Sequence, residues 1–272
     1  MKKKKVLKIV LIVLAVLIVI DLIISIVLAG SMGGIGPFKF LKENKLKSAA
    51  GNAEEYHLEN VEALEDSPLE EKKILFLGSS VTKGACSLDV SMADYIAQLD
   101  QCEVVKEAVG GTTLSTAKDN SYVERLNNLK TNQEFDLVVC QLSTNDASQK
   151  MKLGEICDSK NIDDLDTAMV TGAMEYIIAY CQQTWDCSVV FYTGTKYDSG
   201  EYQKMVDRLL ELQDKWGIGV IDLWNNEEMN AVSDEDYDLY MYDSIHPTQA
   251  GYLEWWTPVI EEELYQIVKN EE

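Results

Sequence analysis

The chain has 272 residues, 46% of them hydrophobic, with 24 Lys and Arg against 46 Asp and Glu, a formal net charge of -22. That apolar content excludes a disordered chain. The acidity excludes a nucleic-acid binder, which needs clustered basic side chains to displace phosphate counterions. The charge is also uneven. Lys2, Lys3, Lys4, Lys5 and Lys8 stand in the first thirty residues with one acid, Asp21, which leaves the remainder at -26.

From Ile9 to Leu28 the sequence reads IVLIVLAVLIVIDLIISIVL, twenty residues with one charge. A helix of that length spans roughly 30 Å, the hydrocarbon thickness of a bilayer. Residues 1–8 are then a basic cytoplasmic segment, residues 9–29 a transmembrane signal anchor, and the rest of the chain lies outside the cytoplasm. The competing reading is a signal peptide cleaved near Ala29, where Val27 and Ala29 supply the small residues. The apolar run is longer than the usual core of a signal peptide, which favours the anchor. Residues 30–71 open on GSMGGIGP and continue through KENKLKSAAGNAEE, a linker by composition. His57 falls there and reads as a surface residue.

The body, residues 72–272, alternates short apolar runs with amphipathic stretches. The runs are KKILFLG (72–78), EVVKEAV (103–109), FDLVVCQLS (135–143), CSVVFYTGT (187–195) and IGVIDLW (218–224). Each is rich in Val, Ile, Leu or Phe over a strand's length. Helices are predicted over Leu88–Leu99, Ser121–Lys130, Thr167–Trp185 and Gly200–Trp216, with a closing helix over Pro247–Lys269. Five strands separated by helices imply an α/β, doubly wound, flavodoxin-like domain on a five-stranded parallel sheet. Function in such sheets gathers at the carboxyl ends of the strands.

Three of those ends, and one later turn, carry reactive or polar groups. Gly78-Ser79-Ser80-Val81-Thr82-Lys83-Gly84 follows the first strand; it puts a serine either on an exposed strand-to-helix turn or at an ordinary N-cap. Its spacing does not match a phosphate loop, because Lys83 is followed by Gly84. Gly110-Gly111 follows the second strand and permits close backbone approach, or simply a turn. Ser143-Thr144-Asn145-Asp146 follows the third, where Asn145 can donate to a developing oxyanion or cap a helix. Near the end stands Asp243-Ser244-Ile245-His246-Pro247. His246 is the one histidine of the body beyond His57. An acid three residues before it can orient its imidazole.

Serine, glycine, asparagine and histidine in this order resemble the SGNH hydrolase, or GDSL esterase/lipase, superfamily. The resemblance covers ILFLGSSVTKG (74–84), VVKEAVGGTT (104–113), LSTND (142–146) and DSIHPTQAGY (243–252). It implies Ser80 as nucleophile, His246 as general base and Asp243 as its orienting acid. It further implies an oxyanion hole of the Ser80 and Gly111 N–H groups with the Asn145 side chain. Ser79 stands where the family usually has aspartate, Lys106 where an asparagine often precedes the glycines, and Ser143 where the third block opens on glycine. The implied activity is hydrolysis of a carboxylic ester through an acyl-enzyme, with O-acetyl groups on glycans as one substrate class and no cofactor. An O-acyltransferase, a lysophospholipase-type lipase and a non-catalytic binding module are the alternatives.

The remaining features have bland readings beside the functional ones. Gln149–Asp166 is long for a connection and reads either as a lid or rim shaping the acyl or alcohol pocket or as a solvated excursion. Its acids lack calcium-loop spacing, and the six cysteines contain no C-x-x-C, so no metal is expected. Asp234, Glu235, Asp236 and Asp238 read as a solvated loop. Trp224, Trp255 and Trp256 read as core residues in preference to a sugar platform. The disulfide pattern is open, with Cys140 expected as a buried thiol.

Overall fold

The structure is a computed structural model that describes residues 2–33 and 39–270, with the α1 side chains described at residue 8 and from 11 to 27. The chain divides into two compact units, residues 1–49 and 50–272. In the first, α1 (Lys2–Gly33) is one continuous helix and α2 (Lys39–Lys47) follows it. The α1 side chains from Leu11 to Ile26 are exposed, and all are apolar apart from Asp21 and Ser25. Among the described residues no helix is long and apolar enough to cross a membrane. The continuous described stretch ends at Val27, and part of the expected span 9–29 lies outside the described side chains.

The second unit holds five parallel strands in the order β2-β1-β3-β4-β5. They are β1 (Lys73–Gly78), β2 (Glu103–Ala108), β3 (Leu137–Gln141), β4 (Ser188–Tyr192) and β5 (Gly219–Ile221). Each lies inside the apolar run that predicts it. Alternation sorts the side chains to two cores. Leu75, Leu77, Val138, Cys140, Val189 and Phe191 pack under α5 (Tyr122–Asn127), α7 (Val170–Trp185) and α8 (Gly200–Trp216). Ile74, Phe76, Leu137, Val139, Val190 and Tyr192 face α4 (Met92–Asp100) and α10 (Thr257–Lys269). With both faces covered, the strands need near-continuous apolar sequence, which is what they have. Trp224 and Trp256 are buried among these side chains, as core packing requires.

Several boundaries differ from the sequence reading. The helix expected from Leu88 starts at Met92, because Leu88 and Asp89 take left-handed φ values of 60° and 63°. The closing helix starts at Thr257, behind a π-helical turn over Gly251–Trp256. The acidic run is helical, not a loop. It forms α9 (Asp234–Tyr240), capped by Ser233, with three acids in the first turn where the helix dipole favours them.

The linker is shorter than 30–71, because residues 50–71 belong to the body. Asn52 donates to the Cys86 carbonyl at 2.9 Å and accepts the Gln249 N–H at 2.9 Å. The Tyr95 hydroxyl donates to the Tyr56 carbonyl at 2.7 Å, and the Leu64 N–H to Leu99 at 2.8 Å. Leu69 is fully buried. A Cβ on Gly51 would sit 2.1 Å from the Leu239 carbonyl oxygen, so only glycine allows this approach. Polar composition made the segment look free. Its contacts run through Gly51, the Asn52 amide, backbone groups of Tyr56 and Leu64, and the apolar Leu69.

Candidate active site

β1 and β3 are neighbours while the chain crosses to opposite sides after them, so the switch point of the sheet lies between their carboxyl ends. β1 ends at Gly78, Ser79 turns the chain, and Ser80 opens the four-residue helix α3 (Ser80–Lys83). Ser80 is therefore the first helical residue, and its N–H has no partner within the helix. Its Oγ lies 2.8 Å from His246 Nε2. His246 Nδ1 lies 2.9 Å from both carboxylate oxygens of Asp243. The Ile245 and His246 N–H groups also donate to Asp243 Oδ1, each at 2.9 Å. Burial pushes the Asp243 carboxyl up, but the hydrogen bond and charge of His246 together with these N–H donors outweigh it. The net shift is downward, which keeps the acid ionised.

The glycine pair lies against the serine. A Cβ placed on Gly110 would be 3.7 Å from Ser80 Cβ, and Gly111 has φ +82° with open space around it. That left-handed backbone suits glycine and leaves the peptide exposed beside Ser80. Asn145 belongs to α6 (Thr144–Ser148), and its Nδ2 donates to the Thr112 carbonyl at 2.9 Å. One amide hydrogen is thus spent on the glycine loop, and the second is available to a ligand. Next to it, Asp146 accepts the Leu114 N–H at 2.7 Å and the Ser115 N–H at 3.2 Å. Burial pushes its carboxyl up to about 6 against the pull of Ser143 and those donors.

The fold thus joins Ser80, His246 and Asp243 in one hydrogen-bonded line, with Gly111 and Asn145 on the loops flanking it. An alcohol bonded to an imidazole that is bonded to a carboxylate can act as an activated nucleophile.

Supporting residues went unnoticed in the sequence. Arg125 is buried and donates to the Gly78 carbonyl at 2.7 Å, the Glu107 carbonyl at 2.9 Å and Thr112 Oγ1 at 3.3 Å. It clamps the end of β1 to the end of β2 and the glycine loop. Gln141, at the end of β3, contacts the serine turn. Neither residue belongs to a recognisable motif, and nothing in the one-dimensional pattern marks them.

Cys86 also lies here. With Asp243 and His246 it forms the one group among the described residues whose ligand atoms are near enough to hold a metal ion. Both imidazole nitrogens are already engaged by Ser80 and Asp243, so the group overlaps the Ser80–His246–Asp243 line. None of the six cysteines is in a disulfide, and Cys140 is buried.

Gln149–Asp166 is neither a solvated excursion nor a cover over Ser80. Arg208 of α8 donates to the Gly154 carbonyl at 2.7 Å, and Lys215 to the carbonyls of Cys157 at 2.5 Å and Ser159 at 3.0 Å. Glu175 of α7 accepts the Cys157 N–H at 3.0 Å. The segment is fastened along α7 and α8. Near the site, Gln149 donates from its side chain to the Gly111 carbonyl at 3.4 Å, and the Met151 N–H donates to the Asp146 carbonyl at 2.9 Å.

The profile of the GDSL-like Lipase/Acylhydrolase family matches residues 76–253. No curated relative matches the sequence. Among solved structures, a Lactobacillus plantarum protein is 17% identical with a TM-score of 0.59, over 74% of this chain and 98% of its own. A Bacteroides ovatus protein described as a GDSL-like lipase is 15% identical with a TM-score of 0.53, over 74% and 99%. The acetyl xylan esterase AlAXEase is 17% identical with a TM-score of 0.50, over 72% and 99%. At these identities the likeness is one of fold.

Proposed function

Because the chain belongs to the GDSL-like lipase/acylhydrolase family and is an ester-hydrolysing serine hydrolase, we propose that Ser80, His246 and Asp243 are its catalytic triad. The observation that carries the assignment is the unbroken line from Ser80 Oγ through His246 to Asp243, at 2.8 and 2.9 Å. His246 Nε2 accepts the Ser80 proton as Oγ bonds to the ester carbonyl carbon. The tetrahedral oxyanion accepts hydrogen bonds from the Ser80 and Gly111 N–H groups and from the second amide hydrogen of Asn145. When the intermediate collapses, the C–O bond to the alcohol breaks and His246 returns the proton to the leaving oxygen. Water then repeats the sequence on the acyl-enzyme and frees Ser80. Asp243 stays ionised throughout and stabilises the imidazolium.

The substrate is a short acyl ester, an O-acetyl group on a neutral glycan. A narrow pocket borders Val81, Gln141, Thr144, Gly194, Tyr197 and Ile245, of which Val81, Thr144 and Ile245 adjoin Ser80, Asn145 and His246 in sequence. Its free volume is about 10 Å³, room for one water-sized group such as the methyl of an acetyl. The net charge of the chain disfavours polyanionic substrates. The name of AlAXEase, a structural neighbour, points to the same chemistry.

The body is held outside the cytoplasm by an anchor over residues 9–29. The support for this is the twenty-residue apolar run behind five lysines.

A fluorophosphonate probe is expected to label Ser80, and Ser80→Ala to abolish both labelling and hydrolysis of p-nitrophenyl acetate. Full hydrolysis by Ser80→Ala would remove the triad. On p-nitrophenyl esters of increasing length, turnover should fall steeply beyond acetate; a preference for long chains would remove the acetyl assignment. Alkaline carbonate should leave the protein in the membrane pellet, and release into the supernatant would remove the anchor.

A further inference from the structure

The turn that carries Ser80 is a helix of only four residues. One turn does not hold itself, because nucleation fixes several dihedrals for a single hydrogen bond. Elsewhere in the body short helices are secured locally: Ser91 with Asp94 and Ser121 with Glu124 each form a capping box. Ser79, at the N-cap of α3, makes no such side-chain cap.

The cap comes instead from another strand. Gln141 Oε1 accepts the Ser79 N–H at 2.9 Å and the Thr82 N–H at 3.2 Å. These are the N-cap and third helical residues, the same two N–H groups that a capping box satisfies from within. The hydroxyls of Thr82 and Ser79 point at the same oxygen, at 2.8 and 3.3 Å. Tyr192 OH lies 2.6 Å behind Thr82 Oγ1 and extends the chain into β4. Backbone N–H groups only donate, so the amide must present its oxygen to the turn.

That orientation has a penalty. Gln141 Nε2 is buried without a partner among the described residues. An apolar residue of similar size would remove the orphan nitrogen but strip two N–H groups of their acceptor. The side chain is thus arranged for the turn, at the expense of its own nitrogen.

We propose that Gln141 is a positioning residue for ester hydrolysis: it caps the nucleophile turn from β3 and thereby sets Ser80 Oγ within reach of His246. The proposal rests on Ser80 being the nucleophile, for which Ser80→Ala is the control. Gln141→Leu should lower kcat on p-nitrophenyl acetate by about 10- to 100-fold, the scale on which misplacing a reacting atom acts. KM should stay within about twofold, and fluorophosphonate labelling of Ser80 should slow in parallel with kcat. Gln141→Glu keeps acceptor oxygens in place and should recover most of the loss; a residue that merely fills space would not separate the two variants in this way.

Turnover per labelled Ser80 equal to wild type in Gln141→Leu overturns the proposal, as does a Gln141→Glu enzyme no better than Gln141→Leu. If Gln141→Leu does not fold, Gln141→Asn withdraws the oxygen by one methylene. It must then lower kcat without raising KM, and wild-type turnover overturns the proposal. A Ser80→Ala enzyme that remains active removes the triad itself, whereas an inactive Ser80→Ala beside a normal Gln141→Leu removes only the role of Gln141.

Discussion

Ser79 and Ser80 are adjacent and chemically identical, yet the backbone turn gives them opposite fates. Ser79 is fully buried and its hydroxyl makes one long contact with Gln141, while Ser80 meets the imidazole. Ser79→Ala should therefore keep most of the esterase activity that Ser80→Ala loses. Asn145 donates to the glycine loop and is the proposed side-chain donor to the oxyanion. Removing one oxyanion donor costs about 2.7–4 kcal/mol of transition-state stabilisation, so Asn145→Ala should lower kcat roughly 100- to 1,000-fold. Its Tm should change little, since the amide makes one partly exposed hydrogen bond.

The two site carboxylates respond to pH in opposite senses. Asp243 is depressed, so its contribution to stability is present above the unfolded value and is lost as pH falls through the folded one. Asp146 is raised from 3.8 to about 6, so the folded state favours its protonated form. Its contribution is full below 3.8 and declines as pH rises through about 6. Asp146→Asn should remove that decline, about 2–3 kcal/mol across the window, in urea unfolding measured from pH 4 to 7.

At the scale of elements, the site is an agreement among the ends of β1, β2 and β3 and the turn after α9. Each loop was legible as a motif, because reactive residues after apolar runs are a one-dimensional pattern. What holds the loops in register was not legible. Arg125 lies on α5, in no motif, and reaches the last carbonyl of β1. Its partners are backbone carbonyls, the Thr112 hydroxyl and the Glu107 carboxylate at 3.0 Å, and backbone carbonyls leave no mark in a sequence. Arg125→Lys keeps the charge but loses the planar fork. It should destabilise the body by roughly 2–3 kcal/mol, the cost of unpairing buried groups that bonded a cation, seen as a lower urea midpoint at unchanged m value. The segment 149–166 teaches the same point, since its length suggests a lid while Lys215, Arg208 and Glu175 fasten it to helices.

Across the whole molecule the body begins earlier than its first strand. Asn52 ties the loop after the Ser80 turn to the segment after His246, through Cys86 and Gln249. Leu69 closes the core on the α4 and α10 side. A chain beginning at Ala50 should fold and hydrolyse p-nitrophenyl acetate. One beginning at Lys72 loses Leu69, alone about 2–5 kcal/mol as judged by truncating a buried leucine. At roughly 2–4 °C per kcal/mol its Tm should fall by about 10 °C or more in a calorimetric scan.

The sequence by itself determined five apolar runs, the helices between them, and the serine, glycine, asparagine and histidine that follow these elements. It did so because burial on both faces of a parallel sheet demands continuous apolar residues, and catalysis demands particular side chains. Only the tertiary structure decided that Gln141 caps the serine turn, that Arg125 clamps the glycine loop, and that residues 50–71 belong to the body. Those roles are hydrogen bonds from side chains to distant backbone. Any glutamine, arginine or asparagine can make such bonds, and only the folded chain selects which one does.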